Sequence, residues 1–572
     1  MICKMTKYSF ILLKGEKDKF LDQVQRIGLV DITRASKPMD DRSAAILAKA
    51  EARKRLIPEA RAAVDELDVR LARAIKKEAQ LKVWGDFDPE DIKRIEELGY
   101  TFHFHECDQD KFDDSWKDLC PVKVIRRFNG SVFFVTVIPD GEKDPLEAYK
   151  MEAPEYSHET AAGIIREITR ERDDAVVRYL DLLGREDVIE ESYRSEMADL
   201  DLYLASQAAV PAAENTIETM VGYAPTENDA EVSAALDATG VFYIKEAATV
   251  EDNPPIELSN NRFTAMFRVL TDMYGRPAYD GFDPTPFLAV FFMLFFAMCM
   301  GDAGYGLVIV GIGLFLARSK KAEDYAPLVV TLGVATFVVG FLFHTFFSID
   351  FIDWEALPGW LRSCMVPSKI AGYDGTMVLA LVVGVVHLCL AKIVKTYYSV
   401  VNKGFLGSLA TWGWTLLIVG GVIVGTLMLA GVLSTAAAKI TIIVIGIVSA
   451  IGIFLLNDIG RNPFINIGSG LWDTYNVATG LIGDVLSYLR LYALGLAGAM
   501  LGLAFNNLAG MMLGDGGIMW VPYILILIIG HSLNIAMCIL GAFVHPLRLN
   551  FLEFFKNSGY EGTGHKFNPL ER

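Results

Sequence analysis

Apolar positions are arranged in two different ways along this chain of 572 residues. Up to about residue 282 they come in short runs, or singly at helical spacing between charged residues. From Phe287 they merge into long stretches almost free of charge. The first arrangement suits segments with one wet face, the second suits segments with none.

In the first part, Tyr8–Arg34 predicts strand, helix, strand. YSFILL is a short run of strand formers, and Gly28 leads into LVDI. A long helical pattern follows. Ile57, Val64 and Leu71 recur at intervals of seven, as do Ala60, Leu67, Ala74 and Leu81, until Glu78 interrupts the seam. Pro58 predicts a kink or a delayed start. VWGDFDPEDIKRIEELGYTFHFHEC predicts strand, helix, strand, with Asp88 ahead of a Pro89 suited to a first helical turn. It opens a lobe that runs to about Lys150. Helical pattern returns from His158 to about Ala208, striped by Ile165, Ile168, Val176, Tyr179 and Leu183. GYAPTENDAEVSAALDATGVFYIKE then completes the first lobe. Two long helices flanking a lobe close most simply as an antiparallel hairpin. The expectation for residues 1–282 is a dumbbell of α/β lobes joined by an antiparallel helical coiled-coil stalk. Its proximal lobe is 1–35 and 209–255, its stalk 36–83 and 156–208, and its distal lobe 84–155.

In the second part, spans are expected near 287–301, 304–317, 326–348, 374–391, 409–431, 438–456, 475–508 and 520–547. The first two are short and separated by GDAGYG, so a tight re-entry and one broken helix are both open, and the count is seven or eight. Arg318, Lys320 and Lys321, then Lys392, Lys395 and Lys403, then Arg461, then Lys556, Lys566 and Arg572 mark one set of loops as basic. The alternating loops, such as IDFIDWEALPGW, are acidic and aromatic. With eight spans every basic loop falls on the side of the N-terminal domain, which places both termini in the cytoplasm. Residues 283–572 are thus expected to form an all-α polytopic membrane domain with about eight transmembrane helices.

Charge sharpens the division. The chain before Phe287 holds 56 acidic and 38 basic residues, a net −18, while the rest is +1. An acidic N-terminal half argues against a nucleic-acid partner. The N-terminus, MICKMTKYSFILLKGEKDKF, carries no signal-peptide pattern. Seven scattered cysteines without a CxxC pair suggest neither a disulfide framework nor a zinc site, and no metal or cofactor is expected. The alternation of His103, His105 and Cys107 is that of a half-exposed strand.

Candidate chemistry lies in the last two apolar runs. One holds Asp484 and Arg490, the other His531, His545 and Arg548. A charge at mid-depth costs about 2.5–3.5 kcal/mol on insertion scales. Arg548 fits a side chain snorkelling near a helix end. Arg490 does not, because apolar-dominated sequence extends on both sides. Asp484, Ser487, Tyr488 and Arg490–Leu491 lie three or four apart, as a polar stripe would. An arginine cannot give up its proton, so it makes a fixed counter-charge rather than a relay. Asn534 and His531 are candidates for polar lining. His344 and His387 read as packed helix residues, and Asp302 as a structural residue of its turn.

At this point a resemblance enters. GDVLSYLRLYALGLAGAM resembles the penultimate-helix signature of the membrane stator subunits of rotary V/A-type ATPases, and HSLNIAMCILGAFVHPLRLNFLEFFKN resembles their last helix. PPIELSNNRFTAMFRVLTDMYGRPAYDGFDPTPFLAVFF with GDAGYG, and GYAPTENDAEVSAAL, resemble further parts, so the likeness covers essentially the whole chain. The soluble part is short for the family, which implies a trimmed distal lobe. The resemblance implies that Arg490 faces a rotating ring of proteolipid subunits and holds each ring carboxylate ionised as it passes between two half-channels. It also implies that Arg548 and His545 are the family's second arginine and its companion histidine. Implied partners are the proteolipid ring, peripheral-stalk heterodimers, a central-stalk adaptor subunit and, indirectly, the ATPase head. Gly498 and Cys538 stand where vacuolar members place a histidine and a glutamate. No GxxxxGK[ST] loop occurs, so the chain itself is not expected to hydrolyse ATP. A self-contained transporter would instead predict inverted repeats and a midplane site on several helices. A mere membrane scaffold would have no use for Arg490 and Asp484 in lipid.

Overall fold

The computed structural model describes residues 1–13, 15–35, 40–142, 144–146, 148–151, 153–154, 156–212, 216–319, 322–352, 358–370, 372–456, 463–512 and 520–571. Lys320, Lys321, Arg461 and Arg572 of the basic loops lie outside them. The N-terminal part contains β1 (Met5–Leu13), α1 (Lys17–Ile27), β2 (Asp31–Ile32), α2 (Asp41–Leu81), α3 (Pro89–Glu97), β3 (Tyr100–Asp108), α4 (Trp116–Leu119), β4 (Val122–Phe128), β5 (Ser131–Pro139), β6 (Tyr149–Met151), α5 (His158–Gly184), α6 (Glu186–Gln207), β7 (Val210–Ala212), β8 (Ile217–Pro225), α7 (Asp229–Asp237) and β9 (Phe242–Ala247). Then come α8 (Arg262–Ala265), α9 (Arg268–Tyr274), α10 (Thr285–Met300), α11 (Ala303–Leu316), α12 (Ala326–Leu342), the small hairpins β10 (Thr345–Phe346) with β11 (Ile349–Asp350) and, after α13 (Gly359–Arg362), β12 (Lys369–Ile370) with β13 (Tyr373–Asp374). The chain closes with α14 (Gly375–Gly407), α15 (Leu409–Leu429), α16 (Thr435–Ala450), α17 (Pro463–Ser487), α18 (Leu489–Met511), α19 (Trp520–Arg548) and α20 (Phe555–Ser558). The protein is therefore mostly helical, with its larger sheets in the N-terminal part. It divides into two units, whose boundary passes through β1 and β8.

One unit comprises residues 12–28, 33–220 and 570–572. A capping box starts α2. The Asp40 carboxylate accepts from Ser43 N–H at 2.8 Å, and Ser43 Oγ accepts from Asp40 N–H at 3.0 Å. The helix then runs through Pro58, so the proline does not delay its start. The cap upstream and the packing of α2 on α5 and α6 outweigh the one backbone bond the proline removes. Ile57, Ala60, Val64, Leu67, Leu71 and Ala74 are half-buried while the residues between them are exposed. Cross-helix pairs fix an antiparallel direction: Asp68 with Arg172 at 2.9 Å, and Arg53 with the buried Glu196 at 2.7 Å. A four-stranded sheet in the order β4-β5-β3-β6 lies in the same unit. There His105 is buried, 2.9 Å from Asp144 and stacked on Phe134.

The other unit comprises residues 1–11, 29–32 and 221–569. Its sheet orders β2-β8-β1-β9, with β1 antiparallel to β9. Among the described residues six helical stretches are long and apolar enough to cross a membrane: Glu323–Leu342, Gly375–Gly407, Leu409–Leu429, Thr435–Leu455, Phe464–Met511 and Trp520–Ser558. α10 and α11 are apolar but have 16 and 14 residues. At 1.5 Å per residue they reach about 24 and 21 Å, short of a hydrocarbon core of about 30 Å. Glycines let α11 and α12 touch backbone to backbone. A Cβ on Gly306 would stand 2.4 Å from Phe337 N, and one on Gly340 2.2 Å from Ala303 N.

Two expected spans are corrected. The span 326–348 ends at Leu342, because His344, Phe347 and Ser348 take left-handed backbone conformations. His344 is thus a turn residue and not a packed helix residue. The span 475–508 lies inside the longer stretch Phe464–Met511, which tightens at Tyr488, where α17 gives way to α18.

Candidate functional site

The site is built on α17–α18 and α19. These last two helices pair antiparallel, which the close contacts of their glycines fix. A Cβ on Gly498 would be 2.6 Å from Cys538 Sγ, one on Gly530 2.5 Å from the Phe505 ring, and one on Gly541 3.7 Å from Leu494. The two positions where this chain departs from the vacuolar pattern, Gly498 and Cys538, therefore face each other. The lack of a side chain on one makes room for the sulfur of the other.

Arg490 is the second residue of α18 and is half-buried. It follows a turn of i→i−3 bonds, Tyr488 N–H to Val485 O at 3.2 Å and Leu491 N–H to Tyr488 O at 3.1 Å. Tyr488 lies at this tightening. Its side chain is fully buried, and its hydroxyl meets His387 Nδ1 of α14 at 2.9 Å. His387 is clamped between Phe291 and Phe554, with ring centroids at 4.1 and 4.6 Å. Gly384 admits the tyrosine, since a Cβ there would lie 2.3 Å from Tyr488 Cγ. Arg490 Nη1 is buried and has no hydrogen-bond partner among the described residues.

The other expected site residues fall into two groups. Near Arg490, Asp484 accepts from Asn557 Nδ2 at 2.7 Å and stands 3.6 Å from Lys556 Nζ. Ser487 donates within its own helix to Gly483 O at 3.0 Å. Arg490 and Arg548 both lie within electrostatic reach of His545, whose Nδ1 is buried without a hydrogen bond among the described residues. Arg548 itself is exposed. The second group lies farther along the helix pair. His531 Nδ1 is 2.8 Å from Tyr305 Oη, and its Nε2 is 2.9 Å from Asn506 Oδ1. Asn534 donates to Tyr305 Oη and to Gly498 O, both at 2.8 Å. Antiparallel pairing sends Asp484 to one end of the site and His531 with Asn534 to the other, with Arg490 between them in sequence.

Sequence reasoning passed over three participants. Glu553 is buried within electrostatic reach of Asp484 and Arg490. A π-helical segment, Leu549–Phe554, follows α19 and carries it there. A lone carboxylate in the apolar run FLEFF was the available signal. Tyr305 and Asn506 complete the His531 network, and nothing in their local sequence marks them. Among the described residues no cluster of three metal-ligating side chains is present.

Comparison with known proteins gives a consistent picture. The family model described as the V-type ATPase 116 kDa subunit family matches residues 209–349. The chain is 28% identical over 542 residues to a V-type ATP synthase subunit I of Treponema pallidum, covering 88% of this chain and 84% of that protein. It is 24% identical to the V-type ATP synthase subunit I of Borreliella burgdorferi over the full length of both. Against the A-type ATP synthase subunit I of Methanocaldococcus jannaschii it is 28% identical over 76% of this chain and 65% of that protein. The chain is thus similar over most of its length to prokaryotic proteins named subunit I of V-type and A-type ATP synthases, and residues 209–349 match the model of the V-type ATPase 116 kDa subunit family.

Proposed function

We propose that this chain is the membrane stator subunit of a rotary V/A-type ATPase, and that it passes protons or sodium ions along its interface with a proteolipid ring. The observation that carries the reading is Arg490, a cation in an apolar helix pair whose Nη1 is buried and unpartnered among the described residues. A buried charge needs a counter-charge. Among the described residues Glu553 lies within electrostatic reach but no group bonds Nη1, and the partner assigned to it here is a carboxylate on each passing ring subunit. Asp484, Ser487, Arg548 and His545 line the half-channel on one side of Arg490, and His531 and Asn534 serve the other. Tyr488 positions the arginine. Eight spans, counting α10 and α11, put both termini in the cytoplasm of a prokaryotic cell and every basic loop on that side. Residues 1–282 form the stator arm, whose coiled-coil stalk and lobes hold peripheral stalks and, through them, the ATPase head; the adaptor at the ring's centre is a further neighbour. The chain does not hydrolyse ATP.

Purification of the tagged chain from native membranes in mild detergent tests this. Mass spectrometry should find a small proteolipid with an intramembrane carboxylate, together with ATP-hydrolysing subunits. A chain recovered intact with neither would overturn the reading.

A further inference from the structure

Lysines from α14 and α20 gather around one that is buried. Lys392 of α14 is 9% exposed, and its amino group makes neither an ion pair nor a hydrogen bond among the described residues. Lys395 and Lys556 lie within electrostatic reach of it, with Asp484 of α17 as the carboxylate in range. Asp484 is already engaged, by Asn557 Nδ2 at 2.7 Å and by Lys556 Nζ at 3.6 Å. One turn along α14, Lys395 has Lys403 and Asp473 in reach. We infer that this basic cluster binds the phosphate of an anionic phospholipid, in the leaflet at the C-terminal end of α14.

A charge taken out of water needs a partner, and around Lys392 the lysines outnumber the carboxylate. Packing, and not an anion of this chain, sets where the lysines stand. The Lys392 carbonyl accepts from Thr396 Oγ1 at 2.9 Å and from Thr415 Oγ1 of α15 at 3.3 Å, which ties α14 to α15 at this level. The Lys395 stem lies along Gly559, where an added Cβ would be 3.7 Å from its Cε. The amino groups are thus brought together with positive charge to spare.

Depth selects the anion. Counted from Gly375, the start of α14, a rise of 1.5 Å per residue puts Lys392 about 26 Å along the helix and Lys395 about 30 Å. A hydrocarbon core is about 30 Å thick, so these side chains stand where lipid phosphates lie. The flank is that of a helix facing lipid, since Ile393, Tyr397 and Val401 are all exposed. Tyr397 and the exposed Trp412 of α15 are the ring types that collect at a membrane interface. Basic pockets between spanning helices suit anionic head groups. A soluble anion would meet the same lysines but would make no use of the apolar flank.

The test titrates the full chain, purified in detergent, with phosphatidylglycerol and with phosphatidylcholine of the same acyl chains, and counts bound lipid by native mass spectrometry. Phosphatidylglycerol should bind about tenfold or more tightly than phosphatidylcholine. Lys395→Gln should cut that preference by about fivefold, and Lys392→Gln combined with Lys395→Gln should remove it. Lys439→Gln, at an exposed lysine near the start of α16 and so at the opposite leaflet, should leave it unchanged. Lys395 is itself exposed, so its single variant reads the site even where the double variant does not fold. Inorganic phosphate in large excess should not displace the lipid. Equal affinity for the two lipids, a preference untouched by Lys395→Gln, or displacement by inorganic phosphate overturns the inference. The chain is measured without a ring, so a failure here leaves the role of Arg490 standing, and the two readings fail separately.

Discussion

Asp302 should be among the most costly single residues to alter in the membrane-spanning part. Its carboxylate is 3% exposed and accepts three backbone N–H groups, from Tyr305 at 3.1 Å, Phe347 at 2.9 Å and Ser348 at 2.5 Å. The first caps α11; the other two pin the strained turn. In Asp302→Asn, the amide oxygen placed at the Oδ1 position keeps two acceptances, now to a neutral group, and turns an NH2 toward Ser348 N–H. Hydrogen bonds to charged groups are worth about 1.5–3 kcal/mol and neutral ones about 0.5–1.5. Losing one of the first kind and weakening two gives a destabilisation of about 3–4 kcal/mol, at the upper end of single substitutions. The assay is thermal melting of the purified full chain in detergent, followed by hydrogen exchange. The melting temperature should fall by several degrees, and faster exchange should concentrate at residues 344–350. An unchanged melting temperature with unchanged exchange in that turn would refute the argument that one carboxylate holds it.

Other expectations are narrower. Tyr488→Phe removes the hydroxyl opposite His387 and leaves both nitrogens of a fully buried imidazole without a partner, a cost of about 1–3 kcal/mol visible as a lower melting temperature. Gly498→Ala puts a methyl 2.6 Å from Cys538 Sγ and should destabilise by about 1 kcal/mol or more, while Gly498→Ala with Cys538→Ala should recover most of the loss in a double-mutant cycle. Lys7, together with Thr249, holds Asp252 down at a pKa of about 2. An unfolded aspartate titrates near about 3.9, so this stabilisation is complete above that pH and is lost as pH falls toward about 2. Asp252→Asn should therefore flatten the fall in stability between about pH 4 and pH 2, measured as the difference from the parent chain.

Spans were legible because long apolar runs have no other use in a helical chain, and the α2 seam because heptad spacing survives as half-buried positions. What was hidden depends on partners distant in sequence. The sequence FLFH looks like continuing helix, yet it ends because Asp302, some forty residues earlier, captures the turn that follows it. Tyr488 counted as part of a polar stripe by spacing alone, but a histidine on another helix holds it inward. Glu553 sits beside Asp484 only because a π-helical segment changes the phase of the last helix. The candidate residues could be picked individually from their cost in lipid. Their division into two groups follows from the antiparallel pairing of α18 and α19, which single-residue reasoning does not contain.

The central claim is that Arg490 is a fixed charge awaiting a carboxylate from another chain. Its most direct test is ATP-driven ion flux, with ATP turnover measured in parallel, by complexes carrying Arg490→Ala in sealed vesicles, after subunit composition confirms assembly. Ion flux coupled to ATP turnover should be abolished. An assembled Arg490→Ala complex that still couples turnover to flux at the parent level would contradict it.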